Sequence, residues 1–289
     1  MPTTATARNE RSGGTRNDKN ANDNKEEMTV AKLNEAKNRN DARAAALAAT
    51  EFETVLYREE NGVAWITLNR PEVLNAFNRT MMREMQTIWE GLRDSGTVRC
   101  VVITAAGERA FCTGVDRHDF LDEPSGFESE KAFFDVFSRS LGPRSNEMWI
   151  PVIAAVRGMA CGGAFYMLGE ADFIIASDDA TFFDPHVTTG IVPIYESIHM
   201  LQKMPFSEIM RLSLLGNHER MSAKRAHEIG LVSEVVPGSE LLERALGRRD
   251  HRLAAGQGGA GHGAHAVAGA LDGSRRGADG GAHADRELR

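Results

Sequence analysis

Two places in the chain join an apolar run to glycine in a way that can present backbone N–H groups to a ligand. Gly114-Val115-Asp116 follows the run Val101-Val102-Ile103-Thr104, and Gly162-Gly163 follows Pro151-Val152-Ile153-Ala154-Ala155-Val156 where a helix is expected to begin. The first turn of a helix has N–H groups without intrahelical acceptors and carries positive potential, and glycine lets a ligand approach the backbone. Two such donors converging on one oxygen would make an oxyanion hole, which stabilises negative charge as it grows on a carbonyl. The plain alternative is that both glycine sites only turn the chain at a strand end.

The elements around them follow from pattern. Thr54-Val55-Leu56-Tyr57 and Val63-Ala64-Trp65-Ile66-Thr67-Leu68 flank Asn61-Gly62, which predicts two antiparallel strands and a tight hairpin. From Asn78, apolar residues at Met81, Met82, Met85, Ile88, Trp89 and Leu92 predict a helix of about four turns capped by Asn78. The runs at Val101 and Val152 read as strands covered on both faces. Phe111 to Asp116 reads as a loop, Ser129 to Leu141 as a helix, and Arg157 to Gly163 as a break followed by a helix through Leu168. Phe173 to Ala176, Thr181 to Phe183 and Val232 to Val236 read as strands. Helices are expected at Ile198 to Met204, Ser207 to Leu215 and Ala223 to Ile229. Strands alternating with helices indicate an α/β domain of stacked β-β-α units.

Composition bounds the partners. The 289 residues carry a formal net charge of -7, with 41 acidic against 34 basic side chains, which argues against a nucleic-acid surface. No apolar run suits a membrane span or a secretory signal, so neither a membrane nor export is expected, and the cytoplasm is the default. Cys100, Cys112 and Cys161 form no C-x-x-C clip and read as reduced thiols.

The two ends differ from the middle. Residues 1–50 contain no aromatic residue and no Ile and read as a disordered polar arm, apart from an Ala-rich stretch, Asp41 to Ala49, suited to a short helix. In residues 246–289, Gly, Ala, Arg and His account for 32 of 44 positions, which reads as a disordered low-complexity tail. That composition would also result from a reading-frame change in a GC-rich gene. The tail histidines His251, His262, His265 and His283 have no metal-ligand spacing, so no metal is expected.

Within residues 51–245, the blocks ITLNRPEVLNAFN, AFCTGVD, IPVIAAVRGMACGGAF, ADFIIAS and ERMSAKRAHEIGLVSEVVP occur in an order and spacing that resemble the crotonase superfamily, the enoyl-CoA hydratases and isomerases. The resemblance implies a spiral of β-β-α repeats, homotrimers or hexamers, and acyl-CoA thioester substrates, with coenzyme A entering as part of the substrate and no further cofactor. It places the oxyanion donors at the N–H groups of Val115 and Gly163, and a CoA-binding loop at Asp116, Arg117 and His118. Hydratases of the family use two glutamates, and the aligned positions here hold Tyr166 and His186. His186, with an ordinary pKa near 6.5, suits a base. Tyr166 suits a proton donor or an orienting group, and Glu196 is the candidate for a displaced carboxylate. The tail does not match the family's C-terminal helices, which contribute to trimer contacts and cover the CoA site, so weaker assembly or weaker CoA binding is expected.

Two other readings compete with a hydratase or isomerase. One is an acyl-CoA-binding protein without catalysis. The other is an acyl-CoA hydrolase in which Cys161, at a helix edge, is a nucleophile of lowered pKa with His186 as base. The plain readings are a buried thiol for Cys161, a pocket wall for Tyr166, a structural histidine for His186 and a dipole-facing carboxylate for Glu196.

Overall fold

The hairpin forms as its turn residues dictate. In the computed structural model β1 (Val55–Glu60) and β2 (Val63–Leu68) pair antiparallel with Glu60 opposite Val63. Asn61 (φ 55°) and Gly62 (φ 79°) both take the positive φ that a two-residue turn of this hand requires. The structure describes residues 45–247 except 94 and 122–135, together with isolated helical positions between 28 and 43.

From β2 onward the main sheet is parallel. β3 (Cys100–Ala105), β5 (Val152–Val156), β7 (Phe173–Ser177) and β10 (Glu234–Val236) extend it in the order β1-β2-β3-β5-β7-β10. β3 and β5 are buried along nearly their whole length, as their unbroken apolar runs predict. A second sheet, ordered β4-β6-β8-β9, holds β4 (Ala110–Cys112), β6 (Met159–Cys161), β8 (Thr181–Phe183) and β9 (Met221–Ser222). The consecutive pairs β3/β4, β5/β6 and β7/β8 each give one strand to each sheet, which is the expected β-β-α repeat.

The second sheet also corrects two readings. The segment from Phe111, expected to be loop throughout, begins inside β4, and the expected break from Arg157 to Gly163 contains β6. Strands of three residues show no usable periodicity, and pairing with neighbours, not local pattern, makes them strands.

Helices cover the main sheet. α1 (residues 45–48) carries Leu47, which is buried against α2 (Arg79–Arg93), where a Cβ on Gly91 would lie 2.8 Å from the Leu47 side chain. The end of the polar arm thus joins the core. α2 buries the predicted apolar stripe, and Asn78 Oδ1 caps it by accepting from the Met81 N–H at 2.9 Å. α3 (Arg117–Leu121), α4 (Val136–Leu141), α5 (Ala164–Glu170), α6 (Tyr195–Met200), α7 (Phe206–Leu215), α8 (Ala223–Glu228) and α9 (Leu241–Ala245) complete the described chain.

α4 is the end of the helix expected from Ser129, whose earlier part lies outside the described residues. α6 starts three residues before Ile198 and stops at Met200, because Leu201 N–H bonds to Ile198 in a tightened last turn and Lys203 and Met204 close onto Met200. The rest of the arm and the tail from 248, including its four histidines, lie outside the described residues. Among the described residues no helix is long and apolar enough to cross a membrane.

The link from β5 to β6 turns at Gly158, with φ 67° and space for a Cβ blocked at 2.4 Å by the carbonyl of Arg109. Gly158→Ala is expected to destabilise the chain by about 2 kcal/mol or more, from left-handed strain and displacement of Arg109. A urea midpoint equal to that of the unmodified chain would contradict this.

Candidate functional site

The two glycine sites meet. β4 and β6 are adjacent parallel strands, so the chain leaving β4 and the chain leaving β6 emerge side by side. A Cβ on Gly114 (φ 87°) would lie 2.9 Å from the Gly163 nitrogen, and one on Gly163 would lie 2.5 Å from Phe77 Cε1. Only glycine at both positions permits this approach. Among the described residues no backbone carbonyl accepts from the N–H of Val115 or Gly163.

The loop carrying Val115 is anchored on both sides. Phe77 N–H donates to Gly114 O at 2.8 Å and Asp116 N–H donates to Phe77 O at 2.9 Å. Asp116 forms an ion pair with Arg70 at 2.8 Å, largely shielded from solvent. Buried Asn75 accepts from Arg70 N–H and donates to the carbonyls of Ala106 and Ala110, tying the turn after β2 to β4. Arg117 and His118 are exposed at the start of α3, and Asp116 accepts from the His118 N–H. Of the expected CoA-loop residues, then, Asp116 fixes the loop while the next two face solvent.

Tyr166, His186 and Glu196 converge beside Gly162-Gly163. Tyr166 lies in the first turn of α5, with its N–H on Gly163 O at 3.3 Å. The His186 ring lies against the preceding residue: a Cβ on Gly162 would be 3.6 Å from His186 Cε1. Asp184, 3% exposed, accepts from both the N–H and the Nδ1 of His186. On the other side of the ring, Nε2 is 3.4 Å from Glu196 Oε1, and Glu196 also accepts from the Tyr166 hydroxyl. A small cavity of about 10 Å³ adjoins Glu196, lined also by Asp184, Met200, Met204 and Leu212.

The charges tune one another. Burial pulls the His186 pKa down, but the hydrogen bond and charge of Asp184 and the charge of Glu196 outweigh it, and the net shift is upward. Burial pushes Glu196 up, and His186 and the Tyr166 hydroxyl offset this only in part. Both groups thereby hold a proton more readily than they would in water.

Sequence reading named Tyr166, His186 and Glu196 but not their pairing, and it gave Asp184 no role. The signal for Asp184 was weak: an acid two residues before a histidine, across a proline.

The structure does not favour the nucleophilic reading of Cys161. Burial pushes its thiol up to about 12, the opposite of the activated state, and Cys100 and Cys112 are also raised to about 12 by burial.

Comparison with known proteins follows this geometry. Residues 58–258 match the family model described as enoyl-CoA hydratase/isomerase. The chain belongs to that family. It is 33% identical over 195 residues to the short-chain-enoyl-CoA hydratase of Clostridium acetobutylicum, covering 68% of this chain and 73% of that one. It is 35% identical over 197 residues to the 1,2-epoxyphenylacetyl-CoA isomerase of Escherichia coli, covering 67% and 74%. Among solved structures, an enoyl-CoA hydratase/isomerase from Mycobacterium paratuberculosis shares 37% identity with a TM-score of 0.60, over 68% of this chain and 73% of that one. Membership of the enoyl-CoA hydratase/isomerase family accords with the β-β-α architecture and does not favour the hydrolase or the non-catalytic binder.

With pKa values near 12, about one cysteine in 10⁴ is ionised at about pH 8. All three thiols should therefore stay unreacted toward a disulfide reagent until the protein is unfolded; rapid loss of Cys161 from the native protein would show the site to be more open than described.

Proposed function

We propose that the chain adds water to, or shifts the double bond of, an enoyl-CoA thioester through an enolate. Its oxygen is held by the N–H groups of Val115 and Gly163, and the His186–Glu196 pair moves the protons. As the enolate develops, negative charge grows on the thioester oxygen, so two fixed donors stabilise the transition state more than the substrate. Coenzyme A enters as part of the substrate, with no further cofactor in the reading.

The observation that carries the proposal is the 3.4 Å pairing of His186 with Glu196 beside the close approach of Gly114 and Gly163. Hydration needs a base to take a proton from water as the hydroxyl joins C3, and an acid to give a proton to C2. A buried imidazole–carboxylate pair holding one proton can serve both steps without the family's two glutamates. Double-bond migration asks less: a proton leaves C2 and one returns at C4. Tyr166 holds the Glu196 carboxylate rather than carrying the transferred proton itself.

The test is turnover of crotonyl-CoA and of a 3-enoyl-CoA by the purified chain. Water addition or double-bond migration is expected, with His186→Ala and Glu196→Ala each lowering kcat by about 10²-fold or more. Binding without turnover, or release of free CoA, would count against the reading, and full turnover by His186→Ala would remove His186 from the chemistry.

We also propose self-association, weaker than the family's trimers and hexamers. It is supported by the exposed apolar side chains Val192, Ile194, Phe206 and Leu214 on the α6–α7 side. Sedimentation showing a single chain mass at every concentration would refute it.

A further inference from the structure

One turn beyond Glu196, α6 carries His199, which the proposed chemistry does not use. His199 Nε2 lies 2.6 Å from Ser138 Oγ on α4, and His199 Nδ1 lies 3.6 Å from Glu170 Oε1 on α5. The Glu170 carboxylate is itself fixed, accepting from the N–H of Ser145 at 2.8 Å and from its hydroxyl at 2.5 Å. Hydroxyl, imidazole and carboxylate stand in the order of a nucleophilic triad, but Ser138 is 3% exposed, beyond the reach of a substrate. The cluster joins three helices instead.

α6 needs such a tie. It has six residues, too few to be stable as an isolated helix, and Ile194 gives it no side-chain cap. It is reached through residues 187–194, which are exposed except for partly buried Pro193. Only Glu196 and Met200 on it are buried. Burying a carboxylate opposes the placement of Glu196, so other contacts must hold the helix down.

His199 is placed to do this. A Cβ on Gly169 would lie 2.5 Å from the His199 Cβ, so α5 and α6 approach closely at that level. Tyr166 and Glu170 are one turn apart on α5, as Glu196 and His199 are on α6, and the two pairs Tyr166–Glu196 and Glu170–His199 meet in register. The His199 ring also meets the Tyr166 ring edge to face at 5.7 Å.

We infer that His199 is a positioning residue: through Glu170 and Ser138 it pins α6 to α5 and α4, and so holds the Glu196 carboxylate against His186 Nε2 and the Tyr166 hydroxyl. The inference rests on the reading of His186–Glu196 as the acid–base pair, and its test has a readout independent of turnover.

That readout is the titration of the His186 ring by NMR in the full chain, assigned by its loss in His186→Gln. The groups facing it are Asp184, Glu196 and, through Glu196, Tyr166. Glu196→Gln should lower the His186 pKa by removing the Glu196 charge, and His199→Ala should lower it comparably. His199→Gln, which can still bond Ser138, should return it toward the starting value. Where a substrate is turned over, His199→Ala should reduce kcat by about 10²-fold with KM changed much less, because the misplaced group acts on the chemical step. Should His199→Ala not fold, Ser138→Ala removes half of the same tie and should move the His186 titration in the same direction.

An unchanged His186 titration in the folded His199→Ala protein, while Glu196→Gln lowers it, would overturn the inference. So would an unchanged titration in Glu196→Gln, since Glu196 would then not be held against His186. A wild-type chain that turns over no enoyl-CoA but shows the expected titrations would instead remove the proposed function and leave the positioning role standing.

Discussion

The backbone contact between Gly114 and Gly163 is the constraint on which the rest of the site depends. A methyl group on either residue would meet neighbouring atoms at under 3 Å, and the two segments stay together only because β4 and β6 run side by side beneath them. The approach is made by the termini of three-residue strands, which have little stability of their own. Loop contacts reinforce it: Phe77 bridges to Val115, Arg70 pairs with Asp116, and Asn75 ties the turn after β2 to β4. The second sheet, small as it is, sets the separation of the Val115 and Gly163 N–H groups, the proposed donors, to a tolerance that flexible loops would not give.

The same frame sets the electrostatics. β8 ends at Phe183, so Asp184, Pro185 and His186 leave it next to Gly162, and the imidazole lies between a carboxylate from its own segment and one from α6. Burial alone would neutralise both His186 and Glu196, lowering one pKa and raising the other. Asp184 and the attraction of Glu196 reverse the histidine's shift, whereas for Glu196 the attraction of His186 offsets burial only in part and the charge of Asp184 adds to it. The pair therefore keeps a proton more readily than either group would in water, which suits an acid–base function better than a fixed ion pair.

How much of this was legible in the sequence depended on the range of the interaction. The β1–β2 hairpin and the apolar stripe and Asn78 cap of α2 are local, and both are where the pattern puts them. The glycine sites were legible as strand-end glycines, but their meeting was not, because it depends on β4 and β6, which are too short to carry a periodic signal. Tyr166, His186 and Glu196 were identifiable singly. Their convergence, and the Ser138–His199–Glu170 tie behind it, comes from the packing of α4, α5 and α6, elements far apart in sequence and short enough to lack their own amphipathic signature.

On the proposed reading, in which Tyr166 and His186 stand where hydratases of the family carry glutamates, the two changes are not independent. Glu196 reaches the space next to both positions from a different helix. A carboxylate at 166 would then stand where the Tyr166 hydroxyl donates to Glu196, and two buried carboxylates at that distance could not both be ionised. A tyrosine there supplies a donor where a glutamate would supply a second charge. At 186, a carboxylate would likewise face both Asp184 and Glu196, whereas a protonated imidazole can present an N–H to each. Once one carboxylate comes from α6, a hydroxyl at 166 and an imidazole at 186 satisfy the remaining hydrogen bonds, and the three positions are chemically dependent on one another. The dependence extends to whatever holds α6 in place, because Glu196 can stand in for a residue on α5 only while the two helices keep their register.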